Sequence, residues 1–108
     1  MELNFRTTKL AKLCNSSSAL SRTYGRVCAD RIGLRLQQLE AAETLADMHF
    51  GRPHELKADR DGQVSVDLVG ALRLIIEPTE WTVLPAGGLD RGQVKAVTVI
   101  EIADTHRT

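Results

Sequence analysis

The chain has 108 residues, with 14 Lys and Arg balanced by 14 Asp and Glu, and 43% of its residues are hydrophobic. That length predicts a single domain, which buries on the order of 65% of its unfolded surface, enough for a core without staples. The composition excludes a wholly disordered chain. No apolar stretch approaches the ~18 residues of a membrane span, so no membrane is expected among its partners.

The N-terminal stretch Met-Glu-Leu-Asn-Phe-Arg lacks the basic patch, apolar block and cleavage site of a secretory signal, so export is not expected. Two cysteines, Cys14 and Cys28, do not make a disulfide framework. On one continuous helix they would lie roughly 21 Å apart, too far to bridge. They read as reduced, buried small hydrophobes of a cytoplasmic protein. The zero net charge hides an asymmetry. Residues 1–60 carry ten Lys or Arg against seven Asp or Glu, and residues 61–108 four against seven. Arg6, Lys9, Lys12, Arg22, Arg26, Arg31 and Arg35 face only Asp30. Such a surplus can meet a polyanion, and it is equally the signature of a solvated helix surface.

In chain order, Leu3 and Phe5 alternate with polar neighbours and predict a short strand. From Thr8 to about Leu45 the pattern is helical. The cluster Ser16-Ser17-Ser18 supplies N-caps, which predicts one short helix, a break, then a longer helix. Leu20, Tyr24, Val27, Cys28, Ile32, Leu36 and Leu39 form the apolar stripe of the longer helix. Gly25 and Gly33 weaken it by ~1 kcal/mol each, and Arg22, Arg26 and Arg35 lie on its opposite face. A loop follows through Gly51-Arg52-Pro53. From His54 the period changes to two. His54–Ala58 reads as a strand, Asp59-Arg60-Asp61-Gly62 as a turn, and Val64–Leu68 and Leu72–Ile76 as strands separated at Gly70. Pro78–Gly92 reads as a long loop containing Trp81, and Val94–Ile102 as a last apolar strand. Helices followed by a run of strands predict an α+β fold, with the helices on one face of a small, mostly antiparallel sheet.

No Gly-rich phosphate loop, Ser-His-Asp motif or Cys/His ligand spacing is present. His49, His54 and His106 are too few and too scattered to argue for zinc, so neither metal nor cofactor is expected. The notable polar residues are His54, Lys57 and Arg60 before the first hairpin, Arg73 inside an apolar strand, and Asp104 and His106 at the end. Arg73 admits two readings, a functional cation or an outward-facing side chain on a half-exposed sheet.

Four segments together resemble one family. The run His54-Glu55-Leu56-Lys57-Ala58-Asp59-Arg60-Asp61-Gly62-Gln63-Val64-Ser65-Val66 resembles the H-x-L-K-G-D-R-x-G-x-x-S-x segment of HigB toxins, within the RelE superfamily. Leu72-Arg73-Leu74-Ile75 is similar to their w-R-l/i-i/c strand. Val99-Ile100-Glu101-Ile102-Ala103-Asp104-Thr105-His106 is similar to their v-x-I-v-D-Y-H ending. Lys9-Leu10-Ala11-Lys12-Leu13-Cys14-Asn15 resembles the K-L-x-K-L-C-N opening of the plasmid-maintenance killer subgroup, which also has the long loop. Thr105 stands where the family carries a base-stacking Tyr. Ala58 stands where it carries Gly, which reads as a mild change.

The resemblance implies a RelE-like fold and the toxin of a type II toxin–antitoxin pair, a ribosome-dependent mRNA endonuclease that inhibits translation. Metal-independent attack of a ribose 2′-hydroxyl on its phosphodiester needs a base, a cation and an acid. His54, Arg73, Asp104 and His106 are the implied catalytic set, and Lys57, Arg60, Arg22, Arg26 and Arg35 the implied RNA contacts. The implied partners are mRNA on the ribosome, with its ribosomal RNA, and a HigA-like helix-turn-helix antitoxin through which the complex would reach operator DNA. The competing expectation is a binding module of the same fold that acts through antitoxin or ribosome without cutting.

Overall fold

A computed structural model of the chain describes residues 1–80 and 84–104. Among these the order is β1 (Glu2–Phe5), α1 (Thr8–Cys14), α2 (Ser17–Tyr24), α3 (Arg26–Ala41), β2 (His54–Glu55), β3 (Val64–Asp67), β4 (Leu72–Pro78) and β5 (Ala96–Asp104). Single 3-10 turns occupy Leu45–Asp47, Ala58–Arg60 and Arg91–Gln93. The sheet order is β1-β5-β4-β3-β2. β1 runs parallel to β5, and every other pair is antiparallel. This is an α+β fold with N-terminal helices packed against a mixed, open sheet.

Side-chain alternation assigns the two sheet faces. Val64, Val66, Leu74, Ile76, Val97 and Val99 are fully buried and share one cluster with Leu20, Ala29, Ile32, Leu36 and Leu39 of the helices. Each Leu or Ile so buried contributes roughly 1.5–3 kcal/mol. The residues between them, Ser65, Asp67, Arg73, Ile75 and Glu77, belong to the face away from the helices.

The helical region differs from expectation. It holds three helices, because Gly25, at φ +82°, closes α2 and opens α3. A positive φ interrupts the i to i−4 ladder, and only glycine adopts it without steric cost. The break re-phases the stripe, so Val27 is 72% exposed. Cys14 ends α1 and Cys28 lies on α3, with Cys14 buried and Cys28 half-buried. The serine caps follow the sequence reading: Ser16 Oγ accepts from Ala19 N–H at 3.1 Å. α3 ends at Ala41, and Leu45 belongs to a 3-10 turn.

The His54 strand is shorter than its pattern suggests, pairing only His54 with Ser65 and Glu55 with Val64. Ala58, at φ +60°, and Gly62, at φ +92°, turn the chain instead. The Ala58 change is therefore not mild, since a left-handed Ala costs roughly 1–2 kcal/mol. Trp81 and the Thr105–His106 ending lie outside the described residues. Among the described residues no helix is long and apolar enough to cross a membrane.

Candidate functional site

The face away from the helices collects most of the polar residues singled out in the sequence. Register places His54 opposite Ser65, Ser65 opposite Ile75, and Arg73 opposite both Asp67 and Ala103. Ladder spacing puts the His54 and Arg73 Cα atoms about 12 Å apart, two strands across and two residues along. A groove of about 550 Å³ on this face is lined by Leu56, Arg60, Ser65, Ile75, Glu101, Ala103 and Asp104 among others, and neither His54 nor Arg73 lines it. Asp104 stands at its rim, exposed, at the end of β5.

Glu101 reaches this face through an irregularity. The β4–β5 register shifts between Ile75 and Ile76, pairing Ile75 with Glu101 and Ile76 with Val99. Ile100 is the extra residue of a β-bulge, and the bulge turns Glu101 from the core side to the open side. Arg60 then crosses from its 3-10 turn to Glu101, Nη2 to Oε2 at 3.0 Å. Both side chains are about 40% exposed, so the pair is worth at most about 1 kcal/mol. Arg60 Nη1 also donates to Gln63 Oε1 at 2.8 Å.

Arg73 is held more firmly. Its Nη1 donates to Gly70 O at 2.7 Å and to Leu72 O at 2.9 Å. Its Nε lies 3.0 Å from Asp67 Oδ1. That oxygen is buried and receives no directed hydrogen bond, so the Arg73 contact is coulombic. Asp67 Oδ2 accepts from Arg52 Nε at 2.7 Å.

His54 is exposed, and its Nδ1 lies 2.9 Å from Arg52 O. A carbonyl only accepts, so Nδ1 is the donor, which in the neutral form of the ring leaves Nε2 as the lone pair. The strand beneath is braced by Glu55, whose Oε1 accepts from Leu89 N–H at 3.0 Å and whose Oε2 lies 3.9 Å from Arg91. Lys57 is exposed on the same loop. His106 lies outside the described residues.

The helical arginines do not join this face. Arg22 and Arg26 are exposed on α2 and at the start of α3. Arg35 is not a free surface cation: its Nε donates to Asp67 O at 3.0 Å and its Nη1 to Gln38 Oε1 at 2.9 Å. Sequence reading missed Asp67, Glu101 and Arg52. Period-two alternation in Val64–Leu68 does place Asp67 on the open face, whereas Glu101 depends on a bulge that has no periodic signal.

Among the described residues no cluster of three His, Cys, Asp or Glu side chains is arranged to hold a metal ion. No family model matches the chain, and no curated protein matches it either.

Proposed function

We propose that the protein is a cytoplasmic, metal-independent endoribonuclease of the HigB toxin type, cutting ribosome-bound mRNA and silenced by a helix-turn-helix antitoxin. The observation that carries this reading is the contact of exposed His54 Nδ1 with the Arg52 carbonyl at 2.9 Å, on the sheet face that also bears Arg73. Nε2 takes the proton of the attacking 2′-hydroxyl. The new P–O2′ bond forms as the P–O5′ bond breaks. The unused N–H groups of Arg73 stabilise the crowded phosphorane. Asp104, at the rim, orients the protonating group, a role the resemblance gives to His106. The products are a 2′,3′-cyclic phosphate and a 5′-hydroxyl.

End-group analysis of mRNA recovered from ribosomes with chelator present tests this. Cyclic phosphate with 5′-hydroxyl ends supports the reading, and 5′-phosphate ends reject it.

One observation favours the second reading, a binding module. Asp67 and Glu101 neutralise the two arginines of the open face. Growth arrest on induced expression that survives His54→Ala would favour it.

A further inference from the structure

The β1 edge of the sheet carries a larger groove, of about 1090 Å³, between that strand and the helices. Its floor is apolar, with half-buried Leu3 and Phe5 from β1 and buried Leu20 and Leu36 from α2 and α3. Its charged side chains are all acidic: exposed Glu2, Asp30 and Glu40 line it, and no Lys or Arg does. Neither Asp30 nor Glu40 has an ion-pair partner among the described residues. The Met1 ammonium at one end is taken up by the carbonyls of Leu39 and Glu40, at 3.3 and 2.8 Å.

The strand beside this groove has an open hydrogen-bonding edge. Glu2 N–H donates to Lys95 O at 3.1 Å and Arg6 N–H to Val99 O at 2.9 Å, so the even-numbered residues turn their backbone groups to β5. In a parallel ladder the alternate residues, Leu3 and Phe5, then turn their N–H and C=O groups outward. β1 is the terminal strand, and among the described residues no other strand meets that edge. Gly33 of α3 is bare toward the same groove. A Cβ there would meet nothing within 4 Å, so the chain's own packing gives no reason for a residue that weakens a helix interior. Glycine suits close approach of a bound molecule to the backbone. Beside it Leu34, also lining the groove, is 44% exposed.

We infer that this groove docks an extended, basic segment of a partner protein, which adds to β1 as a further strand. Its alternate apolar side chains cover the floor at Leu20 and Leu36, and its Lys or Arg residues meet Asp30 and Glu40. Those carboxylates stand ten helical residues apart, about 15 Å along the axis, the span of four to five strand residues. An extended backbone matches the outward groups of Leu3 and Phe5, whereas a docked helix would leave them unmet. A second copy seated through the same groove would set carboxylate against carboxylate. RNA would meet the same repulsion. The groove lies apart from the open face, so the inference does not depend on the nuclease reading.

The test is selection of a displayed library of random peptides, each of about ten residues, on the full chain, with Gly33→Leu as the counter-selection. Gly33→Leu fills the bare site with a strong helix former, so its circular dichroism should match wild type and its thermal midpoint should be no lower. Enriched peptides should alternate apolar residues with Lys or Arg and should not bind Gly33→Leu. For the tightest of them, read by fluorescence anisotropy, Asp30→Asn/Glu40→Gln should weaken binding roughly 2- to 30-fold. N-methylation of the two peptide amides that face β1 should weaken it about 5- to 150-fold. No enrichment over Gly33→Leu would overturn the site, and enrichment of acidic peptides would overturn its charge preference. Apolar residues recurring about every 3.6 positions, with N-methylation harmless, would overturn strand addition in favour of a helix. A dimer in sedimentation that Gly33→Leu dissociates would overturn the inference in favour of a second copy.

Discussion

Arg73 and Asp67 stand opposite each other on neighbouring strands, Nε 3.0 Å from Oδ1, each side chain about 20% exposed. Asp67 thereby ties two arginines of one surface, Arg52 and Arg73, to the β3–β4 hairpin. Neutralising it leaves both half-compensated. Asp67→Asn should cost about 1–3 kcal/mol in urea unfolding and tighten RNA binding at low salt. Equal stability and unchanged RNA affinity would show that the pair is incidental.

Gly51 makes a steeper prediction. A Cβ there would meet Val66 Cγ1 at 2.6 Å, Arg35 Nε at 2.8 Å and Asp67 O at 3.0 Å, on a backbone at φ +74°. Val66 is fully buried and Asp67 O is backbone, so neither can retreat cheaply. Gly51→Ala should destabilise the fold by roughly 2–4 kcal/mol in chemical denaturation. A loss below about 0.5 kcal/mol, the range of ordinary surface substitutions, would contradict the described packing.

Ala58 predicts the opposite sign. Its φ of +60° suits glycine, so Ala58→Gly should stabilise by about 0.5–1 kcal/mol after the added unfolded-state entropy is offset. The readout is the denaturation midpoint, and a lower midpoint would contradict the left-handed turn.

These positions show what the sequence could and could not tell. The switch to period two at His54 located β3 and β4, because alternating burial leaves its mark at every residue. The Ser16 cap was legible for the same local reason. The Gly25 break was not: a glycine inside an apolar stripe reads as a tolerated weakness, and only the packing of α2 on α3 selects its positive φ. Ala58 hid for a related reason, since Ala gives no turn signal. The ion pair joining Arg60 to Glu101 and the hydrogen bond from Arg35 to the Asp67 carbonyl link segments 41 and 32 residues apart, beyond any local pattern. His54, Lys57 and Arg60 were legible as notable polar residues before the first hairpin, and the motif resemblance supplied their implied roles, whereas the carboxylates that restrain the open-face arginines were not legible.

Cys14 is 8% exposed within the core, and burial pushes its thiol up from 9.0 to about 11. A pKa raised by folding supplies stability that is fully present below pH 9 and lost as pH rises toward 11. Unfolding free energy should therefore fall across that window by up to about 2–3 kcal/mol, and Cys14→Ala should flatten that part of the decline. A thiol reagent at pH 8 should label half-buried Cys28 before Cys14; the reverse order would contradict the placement of both.

The central claim is that the face bearing His54 and Arg73 cuts RNA. Its most direct test is the rate of cleavage of ribosome-bound mRNA, with chelator present, by wild type, His54→Ala and Arg73→Ala, each verified as folded by circular dichroism. His54→Ala should lose about 100-fold or more, and Arg73→Ala roughly 100- to 1000-fold. Wild-type cleavage that persists at full rate in both variants would contradict the account.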